Sequence, residues 1–339
     1  MKIVVLMGGA SDEREVSLSS GAGIARALRE TGHEVIAVDT VRGALTGEEE
    51  RALLESGLDP DPPSAHELAL LDPGQAVAIT RQPEYADVDV FFVALHGGSG
   101  EDGTIQALLE AAGVTYTGSN RLGCSLAMDK EVTKRLLRQA GILTPDWLTG
   151  PRDADEVERV LGLPVIVKAA AGGSSLRLIL AHDRDELEAA IAESGAWDDM
   201  VLFERYHRGR EITVGILGEE ALPVGEIIPK HEIFDYECKY QPGMAEEIFP
   251  ADIPPDLAKR LQRLALQAHR ALRLRDFSRI DFIVDGEGLP WCLEANAVPG
   301  MTPNSLLPKA ARAAGIPFPR LCDRLVGLAR TRAAAHSTS

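Results

Sequence analysis

An apolar, β-branched run, KIVVLM, stops at Gly8-Gly9, and a segment with helical periodicity, EVSLSSGAGIARALRETG, follows it to Gly32. Strands that read as unbroken apolar runs are buried on both faces, and parallel strands need helical crossovers to cover those faces. The pattern recurs. HEVIAVDT and ADVDVFFVALHG read as strands, the latter ending at His96-Gly97, and GTIQALLEAAG reads as a helix before a short strand, VTYTGS. This alternation, with glycines at the strand ends, predicts an α/β domain over residues 1–120 built on a doubly wound parallel sheet. The run before Gly8 has five apolar residues, too few for a signal-peptide core or a membrane span, and no other run reaches membrane length. No membrane association is expected.

The chain has 339 residues. Single cores stop growing at roughly 250–300 residues, so more than one domain is expected. A second segment, 121–203, opens with one helix, AMDKEVTKRLLRQAG. It continues with PVIVKAAAGGSSLRLIL (strand, glycine loop, strand), the helix RDELEAAIAESG and the strand MVLFERY. A third, 204–332, holds the strands REITVGILG and ALPVGEIIP and a loop rich in charged and aromatic residues, KHEIFDYECKYQPGMAEEIFP. The helix PDLAKRLQRLALQAHRALR then leads to the strands RIDFIVD and LPWCLEAN. The tail 333–339 is expected to be disordered.

The formal net charge of −17 repels polyanions, which argues against nucleic acid and anionic membranes as partners. An anionic substrate would need a locally basic site. None of the four cysteines, Cys124, Cys238, Cys292 and Cys322, lies in a CxxC pair. They read as reduced packing residues of a cytoplasmic protein. His182 and His269 read as surface residues.

Five strings could carry chemistry. In RIDFIVDGEGLPWCLEAN, two apolar strands flank a DGEG turn. Antiparallel pairing would bring Asp281 near Glu294 and Asn296, which share a face because strand side chains alternate. Two carboxylates and an amide oxygen suit Mg²⁺ that keeps waters and binds substrate phosphates. The same string also suits a solvated hairpin. VKAAAGGSSLR ends a strand at Lys168 and follows it with Gly172, Gly173, Ser174 and Ser175, a loop able to fold over phosphate or to serve as a plain hairpin turn. It is not a Walker A loop, and GAGIAR at 21–26 falls inside a helix pattern rather than directly after a strand. HGGSGEDGTIQ places His96, Glu101 and Asp102 before a helix that could hold an anion, although acids are ordinary there. GGASDEREVS sets Glu13 at the carboxyl end of the first strand, where it could meet an ammonium group or where Ser11 or Asp12 could simply cap a helix. FDYECKY presents Tyr236, Lys239 and Tyr240 on a long loop suited to a lid or to a small satellite core.

Taken together and in this order, these strings resemble the D-alanine–D-alanine ligases of the ATP-grasp superfamily. The resemblance runs from Lys2 to about Leu328 and is most specific in HGGSGEDG and LEANAVPGMTPNSLLP. It implies an ATP-grasp fold, in which the N-terminal doubly wound domain is followed by two α+β subdomains that sandwich ATP. It also implies joining of two D-alanines through an acyl phosphate, for peptidoglycan synthesis. By the same resemblance, Asp281, Glu294 and Asn296 hold two Mg²⁺ (or Mn²⁺). Lys130 and Lys168 grip phosphates, Ser174 and Ser175 cover them, and Glu204 and Glu211 contact adenine and ribose. Arg279 and the Gly300 N–H stabilise the transferring phosphoryl and the oxyanion. Glu13 pairs with the ammonium of the first D-alanine, with His96 and Glu101 nearby. Ser174, Tyr240 and Glu13 form a set over the reaction centre, and Lys239, Ser305 and Leu306 receive the second D-alanine. A homodimer is expected.

Three departures from the family pattern stand out: VKAAAGG in place of VKP with an acid before GSS, Arg177 in place of a glycine, and Ala297 in place of a threonine. The alternatives are a ligase with another acceptor, such as D-serine or D-lactate, and a non-catalytic nucleotide-binding protein. Tyr240 argues against D-lactate, because ligases of that type replace this lid tyrosine. The intact metal and lysine positions argue against the non-catalytic reading.

Overall fold

A computed structural model describes residues 1–55, 63–69, 71, 78–79, 82–173, 177–197, 199–241 and 243–337. Ser174 and Ser175, and the side chain of Tyr240, lie outside the described residues.

The first sheet has the order β3-β2-β1-β4: β1 (Lys2–Met7), β2 (Glu34–Asp39), β3 (Gly43–Ala44) and β4 (Val90–Val93). β1 pairs in parallel with β2 and β4, as its unbroken apolar run requires, and β3 is an antiparallel edge. The expected strand VTYTGS is reduced to one parallel bridge, Phe91 to Tyr116, beside β4. The core on one face of this sheet is shared. Helix Arg14–Glu30 packs there together with helices Leu306–Ala313 and Phe318–Ser337 from the far end of the chain. The C-terminal helices thus complete the N-terminal core. The tail expected to be disordered instead continues the last helix to Ser337, as an alanine-rich sequence favours.

The second sheet, order β5-β8-β6-β7, contains β5 (Trp147–Thr149), β6 (Val165–Ala169), β7 (Leu178–Ala181) and β8 (Val201–Arg205), antiparallel throughout. Helices Ala154–Leu161 and Arg184–Ser194 cover one face. The single helix expected over AMDKEVTKRLLRQAG is broken in two, Arg121–Met128 and Lys130–Gln139. Asp129 sits between them in extended conformation, and its carboxylate accepts from the Val132 N–H at 3.0 Å, capping the second helix. The break turns Lys130 to the start of a new helix.

The third sheet runs β12-β11-β9-β13-β14, with β10 (Glu220–Ala221) beside β9. Its strands are β9 (Gly209–Leu217), β11 (Gly225–Pro229), β12 (Ala245–Ile248), β13 (Phe277–Asp285) and β14 (Pro290–Asn296), and all neighbours are antiparallel. The segment read as a bare loop after β11 forms a short helix, Tyr236–Tyr240, and then β12. Helix Pro255–Ala271 backs the sheet, and its His269 corrects the surface reading. It is 3 % exposed, its Nδ1 lies 2.7 Å from the Ser278 hydroxyl, and burial pushes its pKa down to about 4. All four cysteines are buried and free. Among the described residues, no helix is long and apolar enough to cross a membrane.

Candidate active site

A cleft of about 610 Å³ lies between the second and third sheets. Apolar side chains of both, Ile166 from β6 and Ile227, Ile283 and Leu293 from the third sheet, line it. Such a slot suits a flat heterocycle between two walls. Lys130, Lys168, Lys239, Arg279, Asp281 and Glu294 line it as well.

On one wall, Lys168 at the end of β6 is 7 % exposed and donates to Glu204 Oε1 at 2.9 Å. Glu204, on β8, also lies 2.5 Å from Lys134 Nζ through its other oxygen. Burial works against the Glu204 charge, and Lys134 and then Lys168 outweigh it, so its pKa falls. Lys134 itself is fully buried, donates to Thr144 at 2.7 Å, and is pushed down to about 8 by burial. Sequence reasoning missed Lys134. Its signal is the i, i+4 spacing from Lys130 on one helix, which sets both ammonium groups on the same face.

Lys130 donates to the Gly172 carbonyl at 2.5 Å, and its own N–H donates to the Ala170 carbonyl at 2.9 Å. The AAAGG loop is thereby docked on the start of the helix. Burial lowers the Lys130 pKa, with Glu294 opposing. Gly172 has φ +98°, a conformation glycine adopts readily. A Cβ on Gly173 would lie 2.9 Å from Glu13 Oε2, and one on Gly97 2.8 Å from the same oxygen. The two glycines therefore let the Glu13 carboxylate sit between the strand-end loop of the first domain and the loop of the second. Arg177, just before β7, lines the cleft.

On the opposite wall, β13 and β14 pair with Asp281 opposite Glu294 and Arg279 opposite Asn296, followed by a register shift. The hairpin joins the three expected oxygen donors. Asn296 Nδ2 donates to Asp281 Oδ2 at 3.0 Å, which turns its amide oxygen away as an acceptor. Thr213 donates to Asp281 Oδ1 at 2.7 Å, and Arg279 donates to both oxygens at 2.8–3.2 Å. Burial would raise the Glu294 pKa, but Lys130, Lys239, Lys168 and Arg279 hold it well below the usual carboxylate range. Glu211 on β9 goes the other way: burial, then the charge of Asp281, raises it to about 8. A donor set of two carboxylates and an amide oxygen, with no nitrogen or sulfur, fits a hard divalent cation.

His96 is 3 % exposed. A carbonyl can only accept, so His96 Nδ1–H donates to the Val298 carbonyl at 3.0 Å, while Nε2 faces the Ser20 hydroxyl at 3.1 Å. His96 thus ties the first domain to the turn that carries Gly300. Glu101 lies 3.6 Å from the same ring, and burial raises its pKa against that contact. A Cβ on Gly300 would stand 3.0 Å from Ser305 Oγ, so the turn and the start of helix Leu306–Ala313 are in close contact. Ser305 Oγ accepts from the Thr302 N–H at 3.1 Å. The Leu306 side chain is buried, leaving only its backbone to face a ligand. Lys239 lines the cleft with its ammonium 5.6 Å from the Phe234 ring centroid. Ala297 is buried in the core behind the hairpin, where a methyl needs no hydrogen-bond partner.

The chain is similar to known proteins over almost its whole length. Residues 2–119 match the family model described as D-ala D-ala ligase N-terminus, and 136–327 match D-ala D-ala ligase C-terminus. The chain is 39 % identical over 331 residues to the D-alanine–D-alanine ligase of Syntrophotalea carbinolica, covering 98 % of this chain and 97 % of that one. It is 40 % identical to that of Aquifex aeolicus, with 96 % and 100 % covered. Among solved structures, the D-alanine–D-alanine ligase of Bacillus anthracis complexed with ATP superposes with a TM-score of 0.76 at 31 % identity, covering 99 % of both chains. The VanG D-Ala:D-Ser ligase of Enterococcus faecalis gives 0.79 at 30 %, covering 97 % of this chain and 99 % of that one.

Proposed function

The chain belongs to the D-alanine–D-alanine ligase family, and on that premise we propose that its cleft joins two D-alanines with ATP to make the D-alanyl-D-alanine of bacterial cell-wall precursors. The observation that carries the reading is the meeting of Lys130 and Lys168 on one wall with Arg279, Asp281 and Glu294 on the other, in a slot that Ile166, Ile227, Ile283 and Leu293 also line. Against a net charge of −17, such a local group of cations is what an anionic nucleotide needs. The apolar side chains of the slot take the adenine and Glu211 the ribose. Glu204, locked between Lys134 and Lys168, positions the Lys168 ammonium for phosphate, and Lys130 meets the phosphates from the loop side. Mg²⁺ or Mn²⁺ held by Asp281, Glu294 and Asn296 would supply Lewis-acid charge against the phosphates.

Glu13, between Gly97 and Gly173, takes the ammonium of the first D-alanine. The carboxylate oxygen of that D-alanine attacks the γ-phosphorus and ADP leaves, giving an acyl phosphate. The amine of the second D-alanine then attacks the acyl carbon, and phosphate departs with its original carboxylate oxygen. Arg279 and the Gly300 N–H face the oxyanion of that second step. The family resemblance gives Ser174, Ser175 and Tyr240 roles at the reaction centre, and Lys239 with the start of helix Leu306–Ala313 receives the second carboxylate. His96 acts from behind, by holding the Val298–Gly300 turn. Four free, buried cysteines fit a reducing compartment such as the cytoplasm, and the family resemblance implies a homodimer.

A D-serine acceptor is the second reading, favoured by the likeness to the VanG ligase. Phosphate release by purified protein with ATP and a panel of D-alanine, D-serine, D-lactate and L-alanine separates the two. Release that needs D-alanine alone supports the first. A need for D-serine beside D-alanine supports the second, and release indifferent to the panel contradicts both.

A further inference from the structure

The hydrogen-bonded segment between β11 and β12 carries a group of side chains that the ligase reaction does not use. His231, Asp235 and Cys238 each bring one potential ligand atom to a common point, all within 4.8 Å of one another. His231 Nδ1 lies 2.7 Å from Asp235 Oδ2. The other carboxylate oxygen of Asp235 accepts from the Cys238 N–H at 2.9 Å, capping the helix Tyr236–Tyr240. That bond fixes the carboxylate and leaves Oδ2 to face the ring and the thiol. His231 and Asp235 side chains are 38 % and 32 % exposed while Cys238 is buried, so the group opens to solvent on one side only.

We propose that His231, Asp235 and Cys238 form a binding site for a zinc-class transition metal on the segment that borders the cleft. The chemistry selects the metal. An imidazole nitrogen, a carboxylate oxygen and a thiolate are the borderline-to-soft set that zinc takes at about 2.0–2.3 Å, and three protein ligands leave a fourth position for water. The hairpin set of Asp281, Glu294 and Asn296 is all oxygen and suits magnesium, so the two sites differ in softness and do not compete for one ion. The spacing His-x3-Asp-x2-Cys brings the three ligands together within a single turn of chain. With Nδ1 on the metal, His231 Nε2 points toward Glu237 Oε2, 4.0 Å away, the carboxylate that commonly orients a metal-bound imidazole. On binding, a metal–sulfur bond forms, the thiol proton passes to solvent, and the thiolate and carboxylate neutralise the divalent charge. Occupancy ties the exit of β11 to the turn that carries Lys239 into the cleft.

Cobalt(II) reports the site directly, because a thiolate ligand gives it a charge-transfer absorption in the near ultraviolet that an all-oxygen site cannot give. The full chain, with excess Mg²⁺ filling the oxygen site, is titrated with Co²⁺ and then Zn²⁺. The expected result is one Co²⁺ per chain with the thiolate band, bleached by one equivalent of Zn²⁺. The band is lost in Cys238→Ser with D-alanine-dependent ATP turnover retained. Co²⁺ binds at least ten-fold more weakly to His231→Ala, an exposed position that keeps the variant series informative should Cys238→Ser not fold. Absence of the band in the unaltered protein, its persistence in Cys238→Ser, or undiminished binding by His231→Ala overturns the proposal.

Discussion

Glu211→Gln isolates the electrostatic state of the cleft. The Glu211 carboxyl is raised from 4.5 to about 8, first by burial and next by Asp281, with Lys239 and Arg279 opposing and Glu294 adding to the rise. Below pH 4.5 the group is protonated folded and unfolded and contributes nothing. As pH rises, the unfolded chain releases the proton while the folded chain keeps it, so stability falls until the folded group also ionises near 8. The full interval is worth roughly 4–5 kcal/mol at 1.36 kcal/mol per pKa unit. Partial exposure to solvent reduces this to about 2–3 kcal/mol. Glutamine mimics the protonated carboxyl at every pH. In urea unfolding of the ligand-free protein between pH 5 and 8.5, the variant should therefore gain about 2–3 kcal/mol over the parent, most of it above pH 6. A difference that stays flat across this range, or that favours the parent at high pH, would refute the cause assigned to the shift.

Other substitutions probe the two walls. Glu294→Gln should cut turnover by about a hundred-fold or more with the unfolding midpoint nearly kept, because one carboxylate of the hard donor set and its charge are lost together; near-normal phosphate release at low Mg²⁺ contradicts the metal assignment. Gly173→Ala drives a Cβ to within 2.9 Å of Glu13 Oε2. The carboxylate is the movable end of its side chain, so stability should change by less than about 1 kcal/mol while KM for D-alanine rises, and an unchanged KM would remove Glu13 from the substrate site. Arg177→Gly should weaken ATP binding by at most about 1.5–3 kcal/mol if the guanidinium meets a phosphate, or speed turnover if it obstructs the loop. A change in acceptor preference with ATP kinetics untouched would move Arg177 to the other end of the cleft.

The hairpin was the most legible part of the site. Period-two alternation put Glu294 and Asn296 on one face, the DGEG turn set the pairing, and Asp281 duly stands opposite Glu294. The apolar strands of the first domain were equally plain, since a run such as KIVVLM has no other stable place. What the sequence hid depends on contacts distant along the chain. Lys134 looks like any solvated helix lysine until Glu204 and Thr144 close around it. His269 reads as a surface residue for the same reason, its Ser278 partner lying on another element. Asp129 breaks a pattern that reads as one helix because a local side-chain cap outweighs the periodicity. The FDYECKY segment forms a single turn of helix, too short for a periodic signal, and its cap is Asp235. The role of Gly173 is invisible without Glu13 beside it.

The central claim is that the carboxylate of one D-alanine attacks ATP before the second amine attacks the carboxyl carbon. D-alanine labelled with ¹⁸O in its carboxylate tests this directly, by mass analysis of the phosphate released during dipeptide synthesis. The account predicts that one labelled oxygen passes from D-alanine to each phosphate formed. Phosphate free of label, formed at the same rate as the dipeptide, would contradict it.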